Sequence, residues 1–271
     1  MNATFENAPL VEIIAEIRWN PQPSHLQVAM GHGTAATPVM ALNTNSFEEF
    51  FMRFGGEVYQ QGFELSERLV PAGFPMMLFQ PVYRYRKAAR EDASVLYQVG
   101  AGIFSANAIP PYRSWDTFSP TVEAGVLALL KTRSHGGGEA VFSSVSLRYI
   151  DAFGPDLTEG RDIWSFFRDV LGIKLDLPAG LTDHAQPGES PKPSLQLVLP
   201  LENKMTMSVG IGDGMVNNEP AIVMDTTVAT TADLHASRES VMDTLNSARD
   251  VIHRMFIDLT RPISSLMKPK A

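Results

Sequence analysis

Val11-Glu12-Ile13-Ile14-Ala15-Glu16-Ile17-Arg18-Trp19 is the stretch from which the fold is read. Val11, Ile13, Ala15, Ile17 and Trp19 fall on one face, and Glu12, Glu16 and Arg18 on the other. A period of two sets apolar side chains on one side of a pleat and polar ones on the other, so this is a half-buried strand. It ends in an aliphatic–Arg–aromatic triplet, Ile17-Arg18-Trp19. A matching triplet, Leu147-Arg148-Tyr149, closes a second alternating stretch in which Val145, Leu147 and Tyr149 oppose Ser146 and Arg148.

Three further signatures recur in the same order. Phe50-Phe51 up to Gly56, and Phe166-Phe167 up to Gly172, each follow a polar cap (Ser46, Asp162) and stop at glycine, the pattern of a short helix. Leu78-Phe79-Gln80-Pro81-Val82 and Leu197-Val198-Leu199-Pro200-Leu201 are apolar strands interrupted by proline. Lacking an N–H, proline belongs at a sheet edge or a bulge. Val99-Gly100-Ala101-Gly102 and Val209-Gly210-Ile211-Gly212 place paired glycines in a strand, leaving room for a crossing helix or a sharp bend. Each half closes with an amphipathic helix, one carrying Val122, Val126, Leu129 and Leu130, the other Ala248, Val251, Ile252, Met255, Phe256 and Leu259. An extra strand, Ala221–Asp225, precedes the second helix.

This order predicts an α+β fold of two tandem β-α-β-β-(β)-α repeats, with antiparallel sheet and pseudo-two-fold symmetry. The joint falls in Ser134-His135-Gly136-Gly137-Gly138-Glu139, so residues 1–135 form the first repeat and 136–271 the second. Each repeat has few strands, and the two are expected to share a core as one folding unit. Asn20 to Thr44 reads as a long polar loop, in which Leu26–Met30 could instead form a strand. Pro178 to Pro193 reads as an extended surface crossover.

Composition excludes several chemistries. The 271 residues are 44% hydrophobic, and 22 Lys+Arg against 30 Asp+Glu give a net charge of −8, which disfavours a general nucleic-acid coat. The absence of cysteine removes disulfides, thiolate metal sites and cysteine nucleophiles. Glu12, Glu16 and Arg18 interrupt the first apolar run, and no window approaches ~18 consecutive apolar residues, so neither a secretory signal nor a membrane span is expected. A cytoplasmic location follows as the expectation.

The search for catalytic motifs assigns no catalytic residue, no metal ligand and no cofactor. His25, His32, His135, His184, His235 and His253 form no HExxH or HxH pattern. His253 shares a helix face with Asp250 as a solvated pair. Gly212-Asp213-Gly214 is a turn signal rather than a phosphate loop, and no GxSxG elbow occurs. The adjacent carboxylates Glu48-Glu49 and Glu91-Asp92 diverge.

Three groups remain as binding candidates. Arg18 and Arg148 hold equivalent strand positions and could form an anion clamp near the pseudo-axis, or simply stack over neighbouring aromatics. In Tyr83-Arg84-Tyr85-Arg86-Lys87 the arginines alternate with tyrosines. That pattern suits single-stranded nucleic acid, or a hairpin whose tyrosines pack inward. Tyr112, Arg113 and Trp115 lie at a helix entry capped by Ser114 and could anchor an interface, since these residue types dominate hot spots. The alternative is core packing of Trp115 and Phe118.

Pro9-Leu10-Val11-Glu12 leading to Glu16-Ile17-Arg18-Trp19, then Tyr112-x-x-Trp115, Leu147-Arg148-Tyr149-Ile150 and the helix bearing His253 and Phe256 together resemble a sporadically distributed family of uncharacterised bacterial proteins of similar length. The resemblance implies asparagine after Tyr149-Ile150, where this chain has Asp151. It implies no particular activity. Its patchy distribution points by association to mobile or defence gene clusters, of the toxin–antitoxin or phage-resistance kind.

The reading that results is a non-catalytic protein-binding module, in concrete form an inhibitor or antitoxin, for which an acidic chain suits a basic partner. A small-molecule anion sensor or enzyme at the seam between repeats is the alternative, with single-stranded nucleic-acid binding a second. No membrane partner is expected, and the oligomeric state stays open.

Overall fold

The computed structural model describes residues 5–21, 26–30, 38–42, 44–88, 94–111, 114–133, 140–178, 180, 183–184, 186 and 191–270. The chain is mixed α+β, with a large antiparallel sheet. Its strands are β1 (Leu10–Arg18), β2 (Leu26–Met30), β3 (Pro38–Leu42), β4 (Leu65–Arg68), β5 (Pro81–Arg86), β6 (Val95–Gly100), β7 (Ile103–Ala108), β8 (Val141–Phe142), β9 (Ser144–Phe153), β10 (Leu195–Leu201), β11 (Met205–Val216), β12 (Glu219–Thr230) and β13 (Leu234–His235). The longer helices are α1 (Thr44–Tyr59), α2 (Trp115–Thr132), α3 (Ile163–Asp169) and α4 (Arg238–Leu259). Among the described residues, nine strands hydrogen-bond in the order β10-β11-β12-β9-β1-β7-β6-β5-β4. In the same residues, no helix is long and apolar enough to cross a membrane.

By packing, the chain divides into two compact units. One comprises Met1–Ile13, Arg148–Val228 and Ala248–Ala271; the other comprises Ile14–Leu147 and Ala229–Ser247.

In the Ile14–Leu147 unit, α1 and α2 bury their apolar faces with β5, β6 and β7. Phe51, Phe54 and Val58 of α1, Val122 and Val126 of α2, and Tyr97 and Phe104 of the strands are all fully enclosed. The tyrosines enter this core because their hydroxyls find carbonyls: Tyr97 donates to Thr121 O at 2.6 Å and Tyr85 to Phe51 O at 2.8 Å. Gly125 lets α2 approach the sheet, since a Cβ there would sit 2.7 Å from both Phe104 Cζ and Tyr97 Cε1. Ser114 starts α2 as expected; its N–H donates to Thr117 Oγ1 at 3.1 Å.

In the other unit the odd-numbered residues of β11 (Met205, Met207, Val209, Ile211) are buried, as the period-two pattern requires. Phe153 of β9 packs on Phe166 of α3 at 5.0 Å and on Phe256 of α4 at 6.5 Å between ring centres. Asp162 caps α3, accepting from the Ser165 N–H at 2.8 Å.

Several expectations need correction. Leu78–Gln80 is not strand: Phe79 has φ 61°, and β5 begins at Pro81, where a missing N–H costs no ladder bond. Ala101-Gly102 is the turn of the β6–β7 hairpin, with Gly102 at φ 79°, rather than the interior of a strand. Gly212-Asp213-Gly214 stays within β11; the turn falls at Asn217-Asn218, where both residues take positive φ, which asparagine tolerates. The strand preceding the last helix is not confined to the second half, because β7 precedes α2 in the first. Within Asn20 to Thr44 the strand alternative holds: Leu26–Met30 pairs with Pro38–Leu42. The joint at 134–139 and much of 178–193 lie outside the described residues.

Candidate functional site

Between β4 and β5 runs Pro71-Ala72-Gly73-Phe74-Pro75-Met76-Met77-Leu78-Phe79-Gln80. Proline and glycine exclude a strand here, while apolar residues dominate. Met76 turns inward and is buried; Phe74, Met77 and Leu78 are 64%, 65% and 42% exposed. The loop is pinned at its end, where the Phe79 N–H donates to Ala101 O at 2.8 Å. A bulky residue at φ 61° carries backbone strain of order 1–3 kcal/mol. Two glycines let the loop press onto the β6–β7 hairpin. A Cβ at Gly100 would stand 1.9 Å from Gln80 O, and one at Gly102 would stand 2.6 Å from Trp19 O and 3.1 Å from Leu78 Cδ1. The paired glycines thus make room for a loop, where the sequence suggested a helix or a bend.

Arg18 stands at the base of this loop, its guanidinium 5.4 Å from the centre of the Phe79 ring, while its Nε donates to Glu16 Oε1 at 2.7 Å. The stacking alternative for Arg18 is therefore realised. Arg148 forms a two-point pair with Asp225, with Nε to Oδ1 at 2.8 Å and Nη2 to Oδ2. Each arginine already faces a carboxylate of its own compact unit, which leaves little unbalanced positive charge for an anion.

Arg84 and Arg86 both reach Glu67 Oε2, at 3.4 and 3.3 Å. Tyr85 is buried, and desolvation lifts its hydroxyl pKa well above the usual phenol range. The Tyr83 hydroxyl accepts from Arg68 at 2.9 Å. The arginines thus flank a hairpin whose Tyr85 packs inward and whose Tyr83 is half-buried. Trp115 is buried, and its Nε1–H donates to Asn246 Oδ1 at 2.8 Å, so it serves the core. Tyr112 and Arg113 lie outside the described residues.

Two polar groups were missed by motif searching. Asp151 follows Val145, Leu147 and Tyr149 on the inward face of β9 and is 4% exposed; burial alone lifts its carboxyl to about 7. Around it the Tyr149 hydroxyl is pushed up by burial, an effect that the charge of Arg249 eases and that of Asp151 adds to. His253 is half-buried rather than solvated, and its pKa is lowered by desolvation and then by Arg249, with Asp250 opposing. The sequence signal was a lone acid at an apolar-face position. Arg133 is the second: its guanidinium lies 5.5 Å from the Trp19 ring and 4.9 Å from the Phe142 ring, and burial lowers its pKa to about 10.

No family model, curated protein or solved structure matches the chain. Among the described residues no three His, Asp or Glu side chains gather closely enough to hold a metal ion. On the surface of the described residues the Phe74–Leu78 loop stands out by its exposed apolar side chains.

Proposed function

We propose that this chain is a non-catalytic protein-binding module that inserts the Phe74–Leu78 loop into an apolar depression on a partner protein. The observation that carries the reading is the exposure of Phe74, Met77 and Leu78 on a loop held by glycine-permitted packing and a strained Phe79. A pre-shaped apolar loop loses little entropy on docking, so its burial goes largely into affinity. The charge of −8 favours a basic partner, as an inhibitor or antitoxin of a cytoplasmic defence cluster would meet.

The scaffold is proposed to be a duplication. Outward from β1 come β7, β6 and β5; outward from β9 come β12, β11 and β10. The helices follow the same scheme, α1 with α3 and α2 with α4, which supports a pseudo-two-fold relation between residues 1–135 and 136–271. Failure of these elements to superpose in matching order would sink the duplication.

The binding reading is tested by purifying the tagged chain from its native host at physiological salt and identifying co-eluting proteins by mass spectrometry. The same purification is run with Phe74→Asp/Met77→Asp. A partner present with the parent chain and lost with the variant is expected. A partner retained by the variant, or repeated isolation of the parent alone, refutes it.

A further inference from the structure

Just after α3 the chain turns back on itself. Gly172 takes φ 70°, a conformation glycine adopts without steric cost, and the Ile173 N–H donates to Phe167 O at 2.7 Å. Ile173-Lys174-Leu175-Asp176 is thereby laid beside α3, and the two enclose a cavity of about 250 Å³. Trp164, Phe167 and Arg168 line it from the helix, and Ile173 to Asp176 from the returning chain. The indole of Trp164 is held by its Nε1–H, which donates to Pro191 O at 2.7 Å. Phe167 is buried, while Trp164, Ile173 and Leu175 are half-buried; these four supply the apolar part of the lining.

The charged part differs in its pairing. Arg168 forms a two-point pair with Asp169, Nε to Oδ1 at 2.7 Å and Nη2 to Oδ2 at 3.0 Å. Lys174 and Asp176 have no hydrogen-bonding or ionic partner among the described residues. Burial alternates from Ile173 to Asp176 as in an extended chain, where residues two apart stand on one side about 7 Å from each other. One cavity is thus lined by a lysine and an aspartate that the fold does not use, beside an aromatic wall. A ligand that matches them carries both signs of charge on a small apolar body.

We propose that this cavity binds a free α-amino acid with an apolar side chain, its carboxylate on Lys174, its ammonium on Asp176 and its side chain against Trp164 and Phe167. Charge-assisted hydrogen bonds at both ends orient such a ligand. Arg168 with Asp169, and Lys174 with Asp176, balance to zero, which disfavours a bare anion such as phosphate. The cavity falls just under the ~300–1,000 Å³ of sites for drug-sized ligands, so it suits one amino acid and not a nucleotide.

Trp19 and Trp115 are buried in the other compact unit, so Trp164 is the tryptophan that reports on this cavity. The full chain is titrated with L-leucine, N-acetyl-L-leucine and L-leucinamide, followed by calorimetry and tryptophan fluorescence. The acetyl compound lacks the ammonium and the amide lacks the carboxylate, so each should bind the parent about tenfold more weakly than L-leucine. Asp176→Asn should weaken L-leucine about tenfold and abolish the penalty for acetylation, and Lys174→Gln should do the same for the amide. Both side chains are exposed and unpaired within the described residues, so melting temperatures should not change. Absence of heat and of a fluorescence change with L-leucine at about 10 mM overturns the inference. So do equal affinities for the three ligands, or L-leucine binding that both variants leave intact.

Discussion

Replacing Asp151 by asparagine should make the protein more stable, and increasingly so as pH rises. The carboxyl at this position is enclosed on β9, and burial lifts its pKa from 3.8 to about 7. Between those values the folded chain holds a proton that the unfolded chain has released. Folding therefore loses stability as pH climbs from about 4 to 7, and the loss is complete above the folded value. A shift of about three units at ~1.4 kcal/mol each comes to about 4 kcal/mol in total, of which roughly 3 accrues between pH 5 and pH 8. Asparagine has the same shape and no charge to desolvate. Its buried amide costs about 1–2 kcal/mol if poorly bonded, but that cost does not depend on pH. Urea unfolding of both proteins at pH 5, 6, 7 and 8 reads the effect directly. The advantage of Asp151→Asn should grow by about 3 kcal/mol from pH 5 to pH 8. A difference that stays constant with pH would show that the carboxyl ionises freely in the folded state, and the reasoning would be wrong.

Two further substitutions probe the packing that shapes the candidate site and the core. Gly100→Ala drives a methyl into the Gln80 carbonyl and should lower stability by about 3 kcal/mol, seen as a lower urea midpoint; an unchanged midpoint would mean the loop yields freely. Asn246→Ala strands the indole N–H of Trp115 and should cost about 1 kcal/mol in the same assay, with tryptophan fluorescence reporting the altered environment.

Elements whose identity rests on local patterning were legible in the sequence. The alternation of β1 and of the start of β9 encodes their faces, Asp162 marks the start of α3, and the apolar spacing of Val122, Val126 and Leu129 encodes the buried side of α2. Misreadings arose where backbone conformation overrode hydrophobic pattern. Leu78-Phe79-Gln80 looks like strand because all that distinguishes it is a positive φ at a phenylalanine, for which no residue-type signal exists. Gly212-Asp213-Gly214 looks like a turn, yet the ladder continues to Val216 and turns at paired asparagines. The charged candidates were visible as residue types, but their partners were not. Glu16 reaches Arg18 along the shared polar face of one strand, but Asp225 and Glu67 are brought to Arg148, Arg84 and Arg86 by strand pairing, which sequence spacing alone did not disclose. Of the exposed loop only Leu78 was counted toward a strand, while Phe74 and Met77 fell in no recognised pattern.

Phe79 holds two demands that no single amino acid meets. Its backbone angle asks for glycine, while the guanidinium of Arg18 rests on its ring. Glycine at this position would relieve the backbone and remove the ring on which the arginine rests. An aromatic here marks a place where the chain forgoes conformational ease to keep one small stretch of surface in a fixed attitude.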